Sequence, residues 1–384
     1  MPMERPLRFD YRDVLWSPAI ALSLRKITVM TFFLCLGLAF YSALTYLALA
    51  VGGENLGAVW RLHGLLPPLA LVPAATAARV VMAIGLLAAG LCLMMGLFAV
   101  SASAIEEVRG NRFLNARQMV HFAFRRLPQM LLAELAIALL IGLTVLLFVV
   151  IGLVSRIPWV GDWLYTILFA LPGFLVALLI VFVIMVFTVT VILLPAVAAG
   201  ERYGETFAAI LETFSTILRQ PFRWLAYTAL GLFTARLCGF VYAYFCFRAV
   251  QFATGAAGLV SRDPERLVRA GLAHLPADSE LVRYTFNVFP GLDWSFSIAP
   301  WLGGYVSAGA AGYLMAAVIF VIFASIYGYM MATVAVSQAR AYVVIRYLKD
   351  GYDMTGEKSL FFEDEPVNPP IEEEGEGTRE GTGS

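Results

Sequence analysis

A series of long apolar segments constrains the fold of this chain more than any other feature of its sequence. The segments cover residues 27–51, 79–104, 130–154, 164–198, 224–247 and 310–336. A bilayer core of about 30 Å is crossed by about 20 apolar residues in helical form. The chain is 60% apolar and 14% charged, whereas soluble domains are about 45–50% apolar and about 25% charged. The sequence therefore predicts an all-α, polytopic transmembrane helix bundle with about six spans.

The distribution of Lys and Arg predicts the orientation of the spans. Basic residues cluster before the first span, after the second and after the fourth, and the opposite loops carry few. The positive-inside rule then places both termini in the cytoplasm, and we expect a multi-pass protein of the cytoplasmic (inner) membrane. The predicted regions are an amphipathic N-terminal segment (1–26), a transmembrane domain (27–350) with an ordered external loop (248–308), and a disordered acidic tail (351–384).

Two stretches before predicted spans resemble each other at an offset of 93 residues. Arg126 and Pro128 in the first correspond to Arg219 and Pro221 in the second. Each predicts a short amphipathic interfacial helix that a proline ends, followed by a span. Residues 14–26 form a looser third copy. The pattern favours three helical hairpins, each led by a surface helix, although basic residues and a proline are also common in unrelated cytoplasmic loops.

These units carry a resemblance to a known family. Gly110–Leu132, Gly200–Leu225 and the segment Ala339–Gly351 after the last span resemble the membrane domain of glycerophosphoryl diester phosphodiesterases. The resemblance implies a membrane fold and at most an accessory role. It transfers no catalytic residue, because these 384 residues hold no soluble phosphodiesterase barrel.

The sequence offers no constellation of residues for catalysis. His63, His121 and His274 fall in different predicted loops, and His121 lies across the membrane from the other two. No nucleophile, metal or nucleotide motif is present. We therefore expect no enzymatic activity, no catalytic residue, no metal and no cofactor. The basic residues spread along the cytoplasmic face suit the lipid bilayer and its anionic headgroups rather than nucleic acid.

Two ionisable residues lie inside predicted spans. Arg236 falls near the middle of the fifth, where an exposed Arg costs at least ~2.5–3.5 kcal/mol on insertion scales. Glu134 lies near the cytoplasmic edge of the third, roughly 13 Å shallower by the helical rise. We expect Arg236 to point toward the bundle, where the hydroxyls of Thr188, Thr190, Ser325 or Tyr329 are candidate acceptors. Arg236 then either stabilises the packing or contacts a substrate, and Glu134 either pairs with it or reaches the headgroups.

Small residues recur every fourth position in the last two predicted spans. They are Gly231, Ala235, Gly239 and Ala243 in the fifth, and Ala324, Gly328 and Ala332 in the sixth. Such spacing lets two helices approach closely in lipid. It predicts packing of the fifth span on the sixth, with a homodimer interface as the alternative.

Two functional hypotheses follow. The first is a non-enzymatic scaffold, assembly or lipid-organising factor with a membrane-protein partner. The second is a small-molecule or lipid transporter whose cavity includes Arg236. The external loop fits either a cap on the helix ends or a docking surface: Asp263-Pro264-Glu265 predicts a helix start, and aromatic residues crowd 284–305.

Overall fold

The computed structural model describes an entirely helical protein. The described residues are 7–63, 65–68, 71, 73–111, 114–154, 161–168, 173–200, 206–261, 263–274, 309–355 and 357, and within them all regular secondary structure is helical. The helices are α1 (Tyr11–Leu15), α2 (Ser17–Ala21), α3 (Leu24–Val51), α4 (Leu56–His63), α5 (Thr76–Val108), α6 (Ala116–Val154), α7 (Gly161–Leu168), α8 (Phe174–Gly200), α9 (Thr206–Arg219), α10 (Pro221–Gly258), α11 (Asp263–His274) and α12 (Gly309–Asp350).

Four helices are long and apolar enough to cross a bilayer. They are α3, α5, α10 and α12, so the fold is that of a multi-pass membrane protein. The all-α prediction is confirmed. Helices α6 and α8, of 39 and 27 residues, lie where the sequence predicts the third and fourth spans. The count of six spans and their pairing into hairpins stay predictions.

The hydrophobic core lies around the C-terminal half of α12. Residues 332–345, apart from Arg340, are all buried. They pack against α3, α5 and α8, and Phe33 and Phe98 are among the largest buried side chains there. Because α12 continues 14 residues beyond the predicted end of the last span at residue 336, its final turns form a packed helical extension.

The N-terminal segment belongs to this core and does not lie only on the surface. Val14, Pro18 and Ala21 are buried, and α1 and α2 pack against α12 and α10. The Tyr329 hydroxyl donates to the Pro18 carbonyl oxygen at 3.2 Å. One side of residues 14–26 therefore packs on protein, whereas Trp16, Leu22 and Leu24 stay exposed, and the interpretation of the segment as an interfacial copy stays a prediction.

The two prolines of the sequence repeat behave differently. Pro221 occupies the first turn of α10, and Gln220 before it is non-helical, with φ −137° and ψ 59°. A first-turn residue needs no backbone N–H, so Pro fits there. Pro128 lies inside α6, which runs through it without interruption. The predicted break at Pro128 is wrong, since the helix continues at the loss of one backbone hydrogen bond.

Helix α11 lies in the segment that the sequence predicted as an external loop, and it packs on α10 and α12. Val268 and Leu272 are buried against α10 and α12. A Cβ atom at Gly271 would lie 2.7 Å from Met315 Cγ, so the glycine allows a close approach to α12. The aromatic residues 284–305 and the acidic residues 363–384 lie outside the described residues.

Candidate functional site

A buried ion pair joins the start of α3 to the end of α5. Lys26 Nζ lies 2.8 Å from Glu107 Oε2, and the two side chains are 2% and 27% exposed. Nζ also donates to the Ile20 carbonyl oxygen at 3.2 Å. An ammonium removed from water requires such partners, because an unpaired buried charge is strongly unfavourable.

Arg109 connects three parts of the chain at the same end of the bundle. Its Nη1 lies 3.0 Å from Glu106 Oε1, and its Nη2 lies 3.0 Å from Glu357 Oε2. Nη2 also donates to the Gly200 carbonyl oxygen, where α8 ends, at 2.9 Å. A planar guanidinium can make these bonds in different directions at once. We call Lys26, Glu106, Glu107, Arg109 and Glu357 the helix-end charge cluster.

Arg340 adds a third largely buried cation to the two of this cluster, Lys26 and Arg109. Its Nε atom is buried without a hydrogen-bond partner among the described residues. The carboxylates of Asp13 and Glu107 are close enough to act on it electrostatically. Asp13 itself accepts hydrogen bonds from the backbone N–H groups of Arg8 and Phe9, at 3.0 and 2.8 Å. The carboxylates therefore balance the charge of Arg340 without a direct bond.

A further ion pair attaches α9 to the last turn of α12. Lys349 Nζ lies 2.6 Å from Glu212 Oε1 and 3.1 Å from Asp350 Oδ2. It also contacts the Ser215 hydroxyl at 3.3 Å. Buried charges at this end of the molecule thus hold helices together.

The cavity next to the cluster is too small for an organic substrate. Its polar lining consists of Ser23, Arg25, Lys26, Ser103, Glu107 and Asn111, and it has room for roughly one water molecule. Arg25 Nη1 donates to the carbonyl oxygen of Leu114, another lining residue, at 2.7 Å. A water bound here would complete the hydrogen bonding of the buried charges.

Arg236 lies on an exposed face of α10. Its neighbour Ala235 is buried, and so are Gly231, Gly239 and Ala243, on the side of α10 that faces α12. Successive helical residues are about 100° apart, and no described helix covers the flank of α10 at the level of Arg236. The structure therefore places Arg236 outward, whereas the sequence predicted that it points into the bundle.

Two of the predicted partners of Arg236 bond to other groups, and the side chains of the others lie outside the described residues. Ser325 donates to the Ile322 carbonyl oxygen at 2.8 Å, and Tyr329 donates to Pro18. The backbones of Thr188, Thr190 and Glu134 are helical, but their side chains lie outside the described residues. In the described part of the chain, α8, which carries both threonines, packs mainly on α5 and α12.

The small residues of the two predicted stripes face different neighbours. A Cβ atom at Gly231 would collide with the Ser337 side chain of α12, and one at Gly328 would collide with Thr31 of α3. Ala324 and Ala332 are also buried. The stripe on α10 faces α12, whereas Gly328 on α12 brings α3 close.

The helix-end charge cluster was missed by the sequence-based search. Lys26 and Glu107 are 81 positions apart in the chain, and Arg109 and Glu357 are 248 apart. In the sequence, Arg109 contributed only to the predicted orientation of the spans. A usable signal was the adjacent acids Glu106 and Glu107 at the end of a long apolar segment, because acids there require a counter-charge.

No protein-family model, curated protein or solved structure matches this chain. The resemblance to phosphodiesterase membrane domains stays a prediction.

Proposed function

We propose that the chain is a non-enzymatic integral membrane protein of the cytoplasmic membrane that acts as a scaffold, assembly or lipid-organising factor. It would have six spans in three hairpins, with both termini in the cytoplasm. The lengths of α6 and α8 support the two additional spans, because about 20 residues suffice to cross the bilayer.

The proposal rests on the bonding partners of the buried charges. Lys26, Arg109 and Lys349 bond to carboxylates on other helices or on the segment after α12. These bonds join helix ends to one another, and the adjacent cavity is only about as large as a water molecule. A rigid end of this kind suits a platform that other molecules bind.

The transporter alternative lacks comparable support. It rests on a cavity at Arg236, and the described residues leave that side chain on an outer face of α10. A protein or lipid that binds from outside reaches this position directly.

Native mass spectrometry of the protein purified in mild detergent tests the proposal. We expect a partner protein in fixed stoichiometry or retained anionic lipid. A variant with Arg117→Gln and Arg223→Gln, two exposed arginines near the predicted cytoplasmic surface, should retain less anionic lipid. The matched control is Arg266→Gln, exposed on α11 at the predicted opposite side. A monomer that consistently carries neither protein nor lipid would contradict the proposal.

A further inference from the structure

The outward side of α10 is a continuous exposed stripe with one charge. The stripe consists of Leu225, Ala229, Leu232, Phe233, Arg236 and Leu237, all exposed. Their spacing of three and four residues places them on one flank of the helix, beside the small residues that face α12. We call this set the α10 outer face. Leucine and phenylalanine suit lipid, but Arg236 does not.

The positions of the two flanking arginines in α10 also place Arg236 at the middle of its span. It follows Arg223 by 13 residues and precedes Arg248 by 12, and all three side chains are exposed on the continuous helix α10. At the helical rise per residue, Arg236 is roughly 18–20 Å from each flanking arginine. A side chain that extends about 6 Å reaches neither headgroup layer by snorkelling. Lipid phosphates are therefore out of reach.

The described part of the chain supplies no counter-charge to Arg236. No hydrogen bond or ion pair of its guanidinium is found there. The hydroxyls of α12 that the sequence predicted as acceptors, Ser325 and Tyr329, bond to carbonyl oxygens. A cation at mid-depth in hydrocarbon favours a carboxylate, which neutralises it and accepts two of its hydrogen bonds.

A second copy of this chain does not fit as the source of that carboxylate. Two copies related by a two-fold axis along the membrane normal would bring two Arg236 side chains together at equal depth, and like charges repel strongly in a medium of low dielectric constant. Glu134, the one acid inside a predicted span, lies roughly 13 Å shallower than Arg236 by the helical rise. A different protein is the better source.

We propose that the α10 outer face binds a transmembrane helix of another protein that carries an Asp or Glu at mid-depth. The carboxylate pairs with Arg236, and the exposed Ala229 leaves room for the partner's backbone about two turns away. This inference rests on the proposed scaffold function, and it specifies the chemistry of one partner.

A designed peptide tests the pairing without knowledge of the natural partner. The full-length protein, labelled at its C-terminus, is reconstituted with a labelled transmembrane peptide of leucine and alanine that carries a central Asp. Energy transfer measures association, and a peptide with a central Leu is the matched reference. We expect the Asp peptide to bind roughly five- to thirtyfold more tightly, the range of interhelical polar contacts in model peptides.

Variants of the protein assign the effect to Arg236. Arg236→Leu should abolish the preference for the Asp peptide, and Arg236→Lys should keep part of it, because the charge remains but the planar fork is lost. Arg248→Leu, at the end of the span, should keep the full preference. A parent protein that binds both peptides equally, or an Arg236→Leu variant that keeps the preference, would overturn the inference.

Two other occupants are separate outcomes of the same experiment. Energy transfer between differently labelled copies that requires Arg236, with no preference for the Asp peptide, would assign the face to a second copy and overturn the inference. Absence of any association would assign it to lipid and water, with the same consequence. In either case, stoichiometric protein or lipid retained by the Arg236→Leu variant would leave the scaffold function intact.

Discussion

Lys26 and Glu107 form one ion pair, but the two side chains differ in their access to solvent. The ammonium is almost fully buried, whereas about a quarter of the carboxylate side chain is exposed. Removal of the carboxylate leaves an ammonium with the Ile20 carbonyl oxygen as its one other protein partner among the described residues and room for only about one water beside it. Removal of the ammonium leaves a carboxylate that can still be hydrated.

We therefore expect Glu107→Gln to destabilise the protein more than Lys26→Met. Breaking a buried pair so that one charge is stranded costs about 3–5 kcal/mol, and Lys26→Met should cost less because an apolar chain of similar length fills the site. The measurement is denaturant unfolding in mild detergent. The control is Glu265→Gln, which breaks a pair with Arg269 whose side chains are 44% and 34% exposed; pairs at the surface are worth about 0–1 kcal/mol. Equal losses for Glu107→Gln and Glu265→Gln would contradict the buried pair.

Arg236 illustrates the limit of sequence-based prediction at the scale of one residue. Its depth in the span follows from counting residues, and its unusual cost follows from its charge. The direction in which its side chain points does not follow from the sequence. Arg236 is next to the packing stripe, and only the arrangement of the neighbouring helices decides which flank of α10 is covered. Lys26 shows the complementary limit, since a pair 81 positions apart has no local signature.

At the scale of elements, close approach of α10 and α12 depends on Gly231. The space for a Cβ atom is already filled by Ser337, whose Cβ would lie 2.8 Å away. Ser337 is buried in the C-terminal half of α12 and donates to the Val334 carbonyl oxygen at 2.8 Å. The neighbouring turn adds a buried contact between Thr228 and Gln338.

We expect Gly231→Ala to destabilise the protein, because one of the two helices must shift. Overpacking by one methyl group costs typically about 1–3 kcal/mol. Gly90→Ala is the matched control within another long helix: its Cβ would meet nothing within 4 Å, and alanine favours a helix by about 0.5–1 kcal/mol. Thermal unfolding in detergent measures both. If the two variants shift the midpoint in the same direction, the close contact is not formed.

The positions of the long helices were predictable from the sequence, but the ends of these helices and their contacts were not. Apolar length locates α3, α5, α10 and α12 because the bilayer imposes it. The continuation of α12 to Asp350 and the passage of α6 through Pro128 depend on packing around them. The residues after 336 bury apolar side chains on nearly every side, and a hydropathy profile does not distinguish a span from a packed extension of it.

At the scale of the whole molecule, the segment after α12 closes the helix-end charge cluster. Met354 is fully buried in the main core, and Glu357 bonds to Arg109. These two residues come from a stretch that the sequence assigned to a disordered tail. The boundary of the folded unit is therefore at least as late as residue 357.

Two truncations test that boundary. Deletion of residues 358–384 should leave the stability of the membrane domain unchanged, because Met354 and Glu357 remain. Deletion of residues 351–384 should lower it by about 2–5 kcal/mol, the cost of losing a buried Met side chain, with a further loss from the Arg109 pair. Unfolding midpoints in detergent compare the two proteins. Equal midpoints would place the boundary before Met354.

The most direct test of the account concerns the surroundings of Arg236 in a bilayer. Cys35, Cys92, Cys238 and Cys246 are the four cysteines, all free thiols, and a variant without them accepts a nitroxide at Arg236→Cys. The nitroxide collides with oxygen, which concentrates in hydrocarbon, and with a water-soluble nickel complex. The two collision rates show whether the label lies in hydrocarbon, in water or inside the protein. Ala235→Cys gives the buried reference, and Arg248→Cys gives the interfacial one.

For the label at position 236 we predict high oxygen accessibility, low nickel accessibility and a depth near the bilayer centre. This result is expected for an outer face that a partner helix can bind. High nickel accessibility would indicate a water-filled cavity and favour the transporter alternative. Low accessibility to both reagents, as at position 235, would place Arg236 in a dry helix interface and contradict the account.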